Sequence, residues 1–396
     1  MTKSKIDDKT LSTAVLANPV LVRPIETKAE FRQFFEFPWQ LYKDDAHWIP
    51  PLLSMRRELL DKQRNPAWDY MEGQYFGAWR GDTLVGTITA LVNHRHNDIW
   101  NEHIGWFGTF EFYDDSETSQ ALLETATQWV KERGYDAIRG PQSFTTHEET
   151  GLLIDGFQPA VIMMPYNPPY YQAHIEAAGF EKAMDIVSMY FHRDMEKTTG
   201  MGARLKKLAD WSMKRNKITI RKLDAKNKTS EFRLFRDLYN QAWDKNWGFV
   251  PMNDKELDAL IESLGMFVEP EMAFFAYVDG EPAGFSLAVP DFNEMLHKAY
   301  PRPGVPELWT LLQVGWHWKV RKTAKGVRLP FMGVKEEFRD MGIHTILLTA
   351  NFDNIPAQYE FIDCGWILES NPLTQMSLKL GANPYKTHRF YEKKLK

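Results

Sequence analysis

Apolar and polar positions change period several times along this chain. Residues 20–25, VLVRPI, read as a strand. Phe31, Phe34, Phe35, Trp39 and Tyr42 then follow at the i, i+3, i+4 spacing that puts apolar side chains on one helical face. Two β-rich runs, 74–79 and 83–92, flank the turn dipeptide Gly81-Asp82 and predict a hairpin. Next come a further strand, a helix over 116–133 with Ser116 as N-cap and Gly134 just past its end, and a strand over 136–140.

The same order is written a second time. Arg23 in VLVRPIE precedes EFRQFFEF from Glu30, and Arg221 in ITIRKLD precedes EFRLFRDL from Glu231. YFGAWRGDTLVG matches FFAYVDGEPAG, pairing Phe76 with Phe275 and Gly81 with Gly280. Each half ends on Asn-Pro, a helical stretch and a glycine, Asn167 to Gly179 and Asn371 to Gly381. Landmarks in one order at spacings of 198 to 204 residues indicate a tandem duplication. Strands with helices interposed make each copy a mixed-sheet α/β (α+β) unit. The expected layout is a disordered N-terminus (1–19), a first unit (20–197), a basic linker helix (198–217) and a second unit (218–396).

Composition narrows the class. At 396 residues and 43% hydrophobic, the chain is long and apolar enough for two cores. A net charge of −5 argues against a nucleic-acid binder, and one cysteine, Cys364, excludes an internal disulfide or a cysteine zinc site. The N-terminal run is too polar for a signal peptide and no run approaches a membrane span, so a cytoplasmic protein is expected. Residues 204–228 hold ten Lys/Arg against Asp210 and Asp224, with Leu205, Leu208 and Trp211 at helical spacing. That segment reads as a solvated or interdomain helix, as a reach toward a CoA phosphate, or as peripheral contact with the inner face of a membrane.

Candidate chemistry concentrates in LPFMGVKEEFRDMGIHTILL, residues 329–348, where a β-rich run passes through a glycine turn into a helix. Such a turn presents backbone N–H groups and a helix dipole to an anion, usually phosphate. The run resembles the acyl-CoA pyrophosphate loop of the GCN5-related N-acetyltransferase superfamily, Arg/Gln-x-x-Gly-x-Gly/Ala. Arg339 and Gly342 fill its first two positions, and His344 stands where a small residue is expected. The order of elements agrees, down to an Asn-led helix in WILESNPLTQMSLKLGA. YNQAWDKNWGFVP, VPDFN, YKTHRFYEK and GPQSFTTHEETGLLIDGF are similar to a bacterial family of tandem proteins of this type.

The resemblance implies acetyl-CoA or a longer acyl-CoA as co-substrate, held by Val334, Arg339, Asp340, Met341, Gly342, Ile343 and His344. In the first unit Glu111, Asp114, Asp115 and Glu117 crowd the corresponding turn, so the donor is expected in the second unit alone. No metal is expected. His147, Glu148, Glu149 and Asp155 could ligate one, as could His94 and His96 on one strand face, but polar surface loops are the favoured reading.

Amine acylation needs a proton acceptor and a donor for the leaving thiolate. Glu369, at a predicted strand end, is the candidate base, with Asn371 orienting substrate or capping the next helix. The superfamily's tyrosine position is Ser377 here, leaving Tyr391 or Tyr385 as substitutes. Asn240, Trp243, Asn246, Trp247 and Phe249, with Asp291, Asn293 and Tyr170, are the candidate acceptor-pocket residues. The expected activity is acyl-CoA-dependent N-acyl transfer to a primary amine. The alternatives are long-chain transfer to a sphingoid-base-like lipid amine and a non-catalytic acyl-CoA-binding protein. An aminoacyl-tRNA-dependent transferase would want a basic groove, against which the net charge argues.

Overall fold

The computed structural model describes residues 12–194, 200–264, 268–379 and 382–395. These form two compact units. Unit 1 gathers the chain to Asp185, Tyr300–Glu307 and the chain from Thr387, and unit 2 takes Ile186–Ala299 and Leu308–Lys386.

Unit 1 runs β1 (Val20–Pro24), α1 (Lys28–Leu41), α2 (Leu53–Leu60), β2 (Met71–Arg80), β3 (Thr83–Asn93), α3 (His94–Trp100) and β4 (Ile104–Phe112). It continues through α4 (Ser116–Glu132), β5 (Ala137–Gly140), β6 (Leu152–Asp155) and α5 (Tyr170–Ala177). Strands β1 to β4 pair antiparallel in chain order, while β4 and β5 pair in parallel. Its core packs Leu122, Leu123, Ala126 and Val130 of α4 among Ile88, Phe107, Phe112 and Ile138, burial that supplies most of the driving force for this face.

Unit 2 repeats the plan from β8 (Ile218–Lys222). The helix α6 (Met201–Asn216) precedes it. Then follow α7 (Lys228–Trp243), α8 (Asp254–Leu264), β9 (Ala273–Val278), β10 (Glu281–Pro290), α9 (Asn293–Ala299), α10 (Glu307–Gly315), β11 (Gly326–Val334), α11 (Ile343–Asn354), β12 (Phe361–Leu368) and α12 (Pro372–Lys379). Again the last pairing, β11 with β12, is parallel.

The duplication extends to one ion pair. Arg23 on β1 holds Glu30 of α1, whose carboxylate also closes a capping box with Thr27; Arg221 on β8 holds Glu231 of α7 at 2.6 and 2.9 Å. Each arginine also lies over an aromatic ring of the neighbouring strand, Trp79 or Phe275, at 4.6 and 4.9 Å.

The closing strands trade places. β7 (Glu181–His192) pairs antiparallel with β12 of unit 2 through Ile186–His192, whereas the end of β13 (Asn383–Lys394) pairs with β5 and β6 of unit 1. The sequence division at 197/218 keeps each closing strand with its own copy, because a repeat shows which residues correspond and not which sheet edge they cover. Unit 1 secures its borrowed strand with Arg389–Asp185, Arg139–Glu392 and Tyr391–Glu176.

Three boundary expectations change. Residues 12–19 are ordered: a turn at Thr13–Leu16 is followed by Asn18, and the carbonyls of Leu16 and Asn18 accept from the buried Arg80 guanidinium. Asp115, not Ser116, caps α4. His94 and His96 open a helix instead of sharing a strand face, and His96 Nε2 donates to the Glu102 carboxylate at 2.7 Å. Residues 1–11, 195–199 and Gly381 lie outside the described residues.

Removing the chain after Lys386 is expected to unfold unit 1 while sparing unit 2, since the ties of Arg389, Tyr391 and Glu392 to Asp185, Glu176 and Arg139 lie in unit 1. Hydrogen exchange reads the result. Protection should collapse at Ala137–Gly140, and unchanged protection there would refute the exchange as a stability element.

Candidate active site

The two parallel pairs start alike and end differently. In unit 1, β4 and β5 match through Trp106 and Arg139, and then Gln142 N–H donates to Phe107 O at 2.9 Å, so the chain leaving β5 stays against β4. Gly108 permits this. A Cβ there would lie 2.0 Å from Gln142 O. In unit 2 the ladder runs Gly326–Phe361, Val327–Ile362, Arg328–Asp363 and stops, and β12 develops a register shift against β7 between Cys364 and Ile367. From Leu329 and Cys364 onward β11 and β12 form no further ladder pair, a wedge between the two strands.

The foot of that wedge is polar and buried. Arg328 and Asp363 are 1% and 0% exposed with Nε and Oδ1 3.5 Å apart, and Tyr385 OH donates to Asp363 Oδ2 at 2.7 Å. Asp291 and Lys386 complete the group at 3% and 2% exposed. Burial pushes Asp363 above the carboxylate range, with Arg328 opposing, and pushes Lys386 down to about 8 against the pull of Asp363 and Asp291. An ammonium of that acidity exchanges a proton near neutral pH.

At the outer end of β11, the short 3₁₀ turn Glu336–Met341 leads to Gly342 at φ +81°, and α11 starts with no side chain capping it. Its first turn, Ile343-His344-Thr345, carries no carboxylate. Burial and the Arg339 charge push half-buried His344 down to about 4, so the ring is neutral at neutral pH. Arg339 is occupied with backbone, donating to Ala242 O at 2.8 Å and Val334 O at 3.4 Å, and Met341 O accepts from Asn216 of α6 at 3.1 Å. These residues fit a pyrophosphate held by backbone N–H groups, with Arg339 bracing the loop from β11 to α7. Asp340 is exposed and Val334 buried.

Unit 1 plugs the corresponding terminus with its own anion. Asp115 accepts from Glu117 N–H and the Thr118 hydroxyl, and Arg80 bridges Asp115 and Glu117 at 2.8 and 2.6 Å. The expected crowd of four carboxylates disperses. Asp114 meets His174 at 2.8 Å, while Glu111 turns inward to the hydroxyls of Tyr42 and Tyr171. Burial pushes Glu111 up to about 7 despite those hydrogen bonds and the Arg56 charge, and raises Glu149 in the same neighbourhood. Sequence reasoning missed Glu111 as a proton site, as it did Arg328 and Lys386, because the partners lie far apart in sequence.

The other nominated residues separate. Glu369 is exposed just past β12, and Asn371 accepts from Leu373 N–H at 2.9 Å, the position of a helix cap. Tyr391 belongs to unit 1, where its hydroxyl donates to Glu176 at 2.8 Å. Tyr170, also in unit 1, donates to Phe112 O at 2.6 Å. Asn240 pins the loop after α7 by exchanging two 2.8 Å hydrogen bonds with Met252. Within that loop Phe249 is buried against Tyr239 and Trp243, Trp243 donates to Met332 O at 3.3 Å, and Asn246 and Trp247 are half-buried. Asn293 N–H donates to Asp291. Cys364 is buried, which raises its thiol pKa. Among the described residues no group of three or more His, Cys, Asp or Glu side chains is placed to hold a metal.

Comparison with known proteins places this architecture. No family model matches the chain. Protein YghO of Escherichia coli (strain K12) is 32% identical over 394 residues, 97% of each chain. A bacterial ceramide synthase of Caulobacter vibrioides (strain NA1000 / CB15N) is 30% identical over 389 residues, 94% of this chain and 97% of the relative. The chain belongs to their family. Solved structures carry the same fold: a tandem GNAT protein from the clavulanic acid biosynthesis pathway superposes with TM-score 0.53 at 11% identity, over 95% of this chain and 98% of the other. A GCN5-related N-acetyltransferase from Anabaena variabilis ATCC 29413 gives 0.50 at 10%, over 94% and 72%. This family member thus carries the tandem GNAT fold.

The proton on Glu111 has a thermodynamic signature. The folded state holds it to about pH 7, while an ordinary glutamate releases it near 4.5, so the folded state binds more protons across that window and stability falls as pH rises through it. The midpoint for unit 1 unfolding should decline over this range in the wild type and flatten in Glu111→Gln. An equal slope in both proteins would remove Glu111 as the cause.

Proposed function

We propose that the protein is an N-acyltransferase that moves a long-chain acyl group from CoA to the primary amine of a sphingoid-base-like lipid. The observation that carries the donor half is the wedge between β11 and β12, open in unit 2 where β4 and β5 are closed in unit 1. The acceptor half is supported by the likeness, along nearly the whole chain, to a protein named as a bacterial ceramide synthase.

In this reading the loop from Val334 through Arg339 to His344 receives the pyrophosphate of the donor on the first turn of α11. Asn240, Trp243, Asn246, Trp247 and Phe249 border the acceptor, with Asp291 and Asn293 beyond them. The amine lone pair attacks the thioester carbonyl, the N–C bond forms, the C–S bond breaks, and the amine proton passes to Glu369. Lys386, at the wedge foot, returns a proton to the departing thiolate. Tyr385 stays with Asp363 and Asn371 keeps its cap.

Gly342 is a poor probe of this loop, since a Cβ there would meet the Ser212 hydroxyl at 2.5 Å and the residue has φ +81°. Thr345→Glu is the better one. A carboxylate on the first turn suits the helix and competes with phosphate, so CoA affinity should drop about tenfold or more by calorimetry with no loss of thermal stability. Unchanged affinity would overturn the donor site.

Glu369→Gln should lower turnover roughly 10²-fold if Glu369 accepts the amine proton. The assay follows amide formation by mass spectrometry from sphinganine with palmitoyl-CoA or acetyl-CoA. Product from palmitoyl-CoA in preference to acetyl-CoA is expected. Full turnover in the variant would acquit Glu369, and no amide from either donor would overturn the proposed activity.

A further inference from the structure

Between β10 and β11 the chain runs through Asp291–Lys325, of which Tyr300–Glu307 belongs to unit 1, whereas β3 and β4 are joined by the short stretch His94–His103. The longer connection ends in α10, which passes directly into a wider helical turn at Trp316–Val320. Thr310 and Val314 bury one side of this helix, at 2% and 6% exposed. The rest faces outward. Leu308, Trp309, Leu311, Leu312, Trp316 and Val320 are 38% to 70% exposed. At 100° per residue the first five span an arc of about 160°, opposite Thr310 and Val314. Large apolar side chains so concentrated are uncommon on a solvated helix.

Charge indicates what covers them. From Leu308 to Lys325 there is no Asp or Glu, against Lys319, Arg321, Lys322 and Lys325. Lys325 pairs with Glu360 at 2.7 Å and Lys319 stands 3.8 Å from Glu269, while Arg321 and Lys322 are exposed beyond the apolar arc. A second copy of this chain laid on the same face would bring like charges together. An apolar arc with tryptophans, followed by exposed cations, complements the headgroup and acyl boundary of an anionic bilayer.

We propose that α10 and the turn after it form a membrane-docking surface that lies in the interface of an anionic phospholipid bilayer. The inference stands apart from the acyl-transfer reading. It also relocates the contact expected at 204–228: α6 buries Leu205, Ala209 and Ser212 and exposes just Leu208 and Trp211 as large apolar groups.

The test is co-sedimentation of the full chain with phosphatidylcholine vesicles with and without phosphatidylglycerol. The wild type should sediment with phosphatidylglycerol vesicles, less so as salt rises, and the combined variant Leu308→Ser, Trp309→Ser, Leu312→Ser, Trp316→Ser should lose about tenfold or more in partitioning. Arg321→Glu with Lys322→Glu, which leaves the apolar arc untouched, should abolish the preference for phosphatidylglycerol. Leu208→Ser with Trp211→Ser should bind as the wild type does. Failure of the wild type to bind vesicles overturns the proposal, as does equal binding by the four-site variant. Self-association in the ultracentrifuge that the four-site variant relieves, without vesicle binding, would assign the face to a second copy instead.

Discussion

The difference between the two copies depends on where the chain goes after the second strand of a parallel pair. Two strands that run side by side satisfy each other's backbone groups for as long as they stay in register. In unit 1 the segment after β5 remains against β4, with Gln142 bonded to Phe107 and Gly108 allowing the close approach. In unit 2 pairing stops at Arg328 and Asp363, while β11 and β12 keep their pairing with β10 and β7 on their other edges. The two copies thus share a three-pair parallel ladder, which unit 1 extends by the Gln142–Phe107 hydrogen bond.

The polar groups at the two sites follow from that difference. A buried arginine, lysine and pair of aspartates at the wedge foot is costly unless the charges offset one another, and replacing such a group with apolar residues is often neutral for stability. Among them burial pushes Lys386 down to about 8, against the pull of Asp363 and Asp291. Unit 1 spends its charges on itself. Asp115 supplies the anion at the start of α4, and Arg80 neutralises it while gripping the N-terminal backbone. The same helix end that favours a phosphate in one copy is filled by a carboxylate in the other.

A long-chain amide synthesised from a lipid amine involves two substrates with alkyl tails. The proposed docking surface on α10, an apolar arc beside exposed cations, lies in the long connection between β10 and β11 that has no counterpart between β3 and β4. Among the described residues no helix is long and apolar enough to cross a membrane.

Much of the architecture was legible in the sequence alone. The duplication, the hairpins at Gly81 and Gly280, the strand-to-helix turn at Arg339–His344 and the acidic turn of unit 1 were local patterns, and local patterns are set by backbone sterics, periodicity and capping. The exchange of β7 and β13 was decided by tertiary structure, because a sequence repeat shows which residues correspond and not which sheet edge each closing strand covers. So were the assignment of Tyr391 to Glu176, the clamp of Arg339 on backbone carbonyls, and the proton sites at Glu111 and Lys386. Each depends on burial and on partners distant in the chain, and a side chain's desolvation has no counterpart in its sequence neighbours.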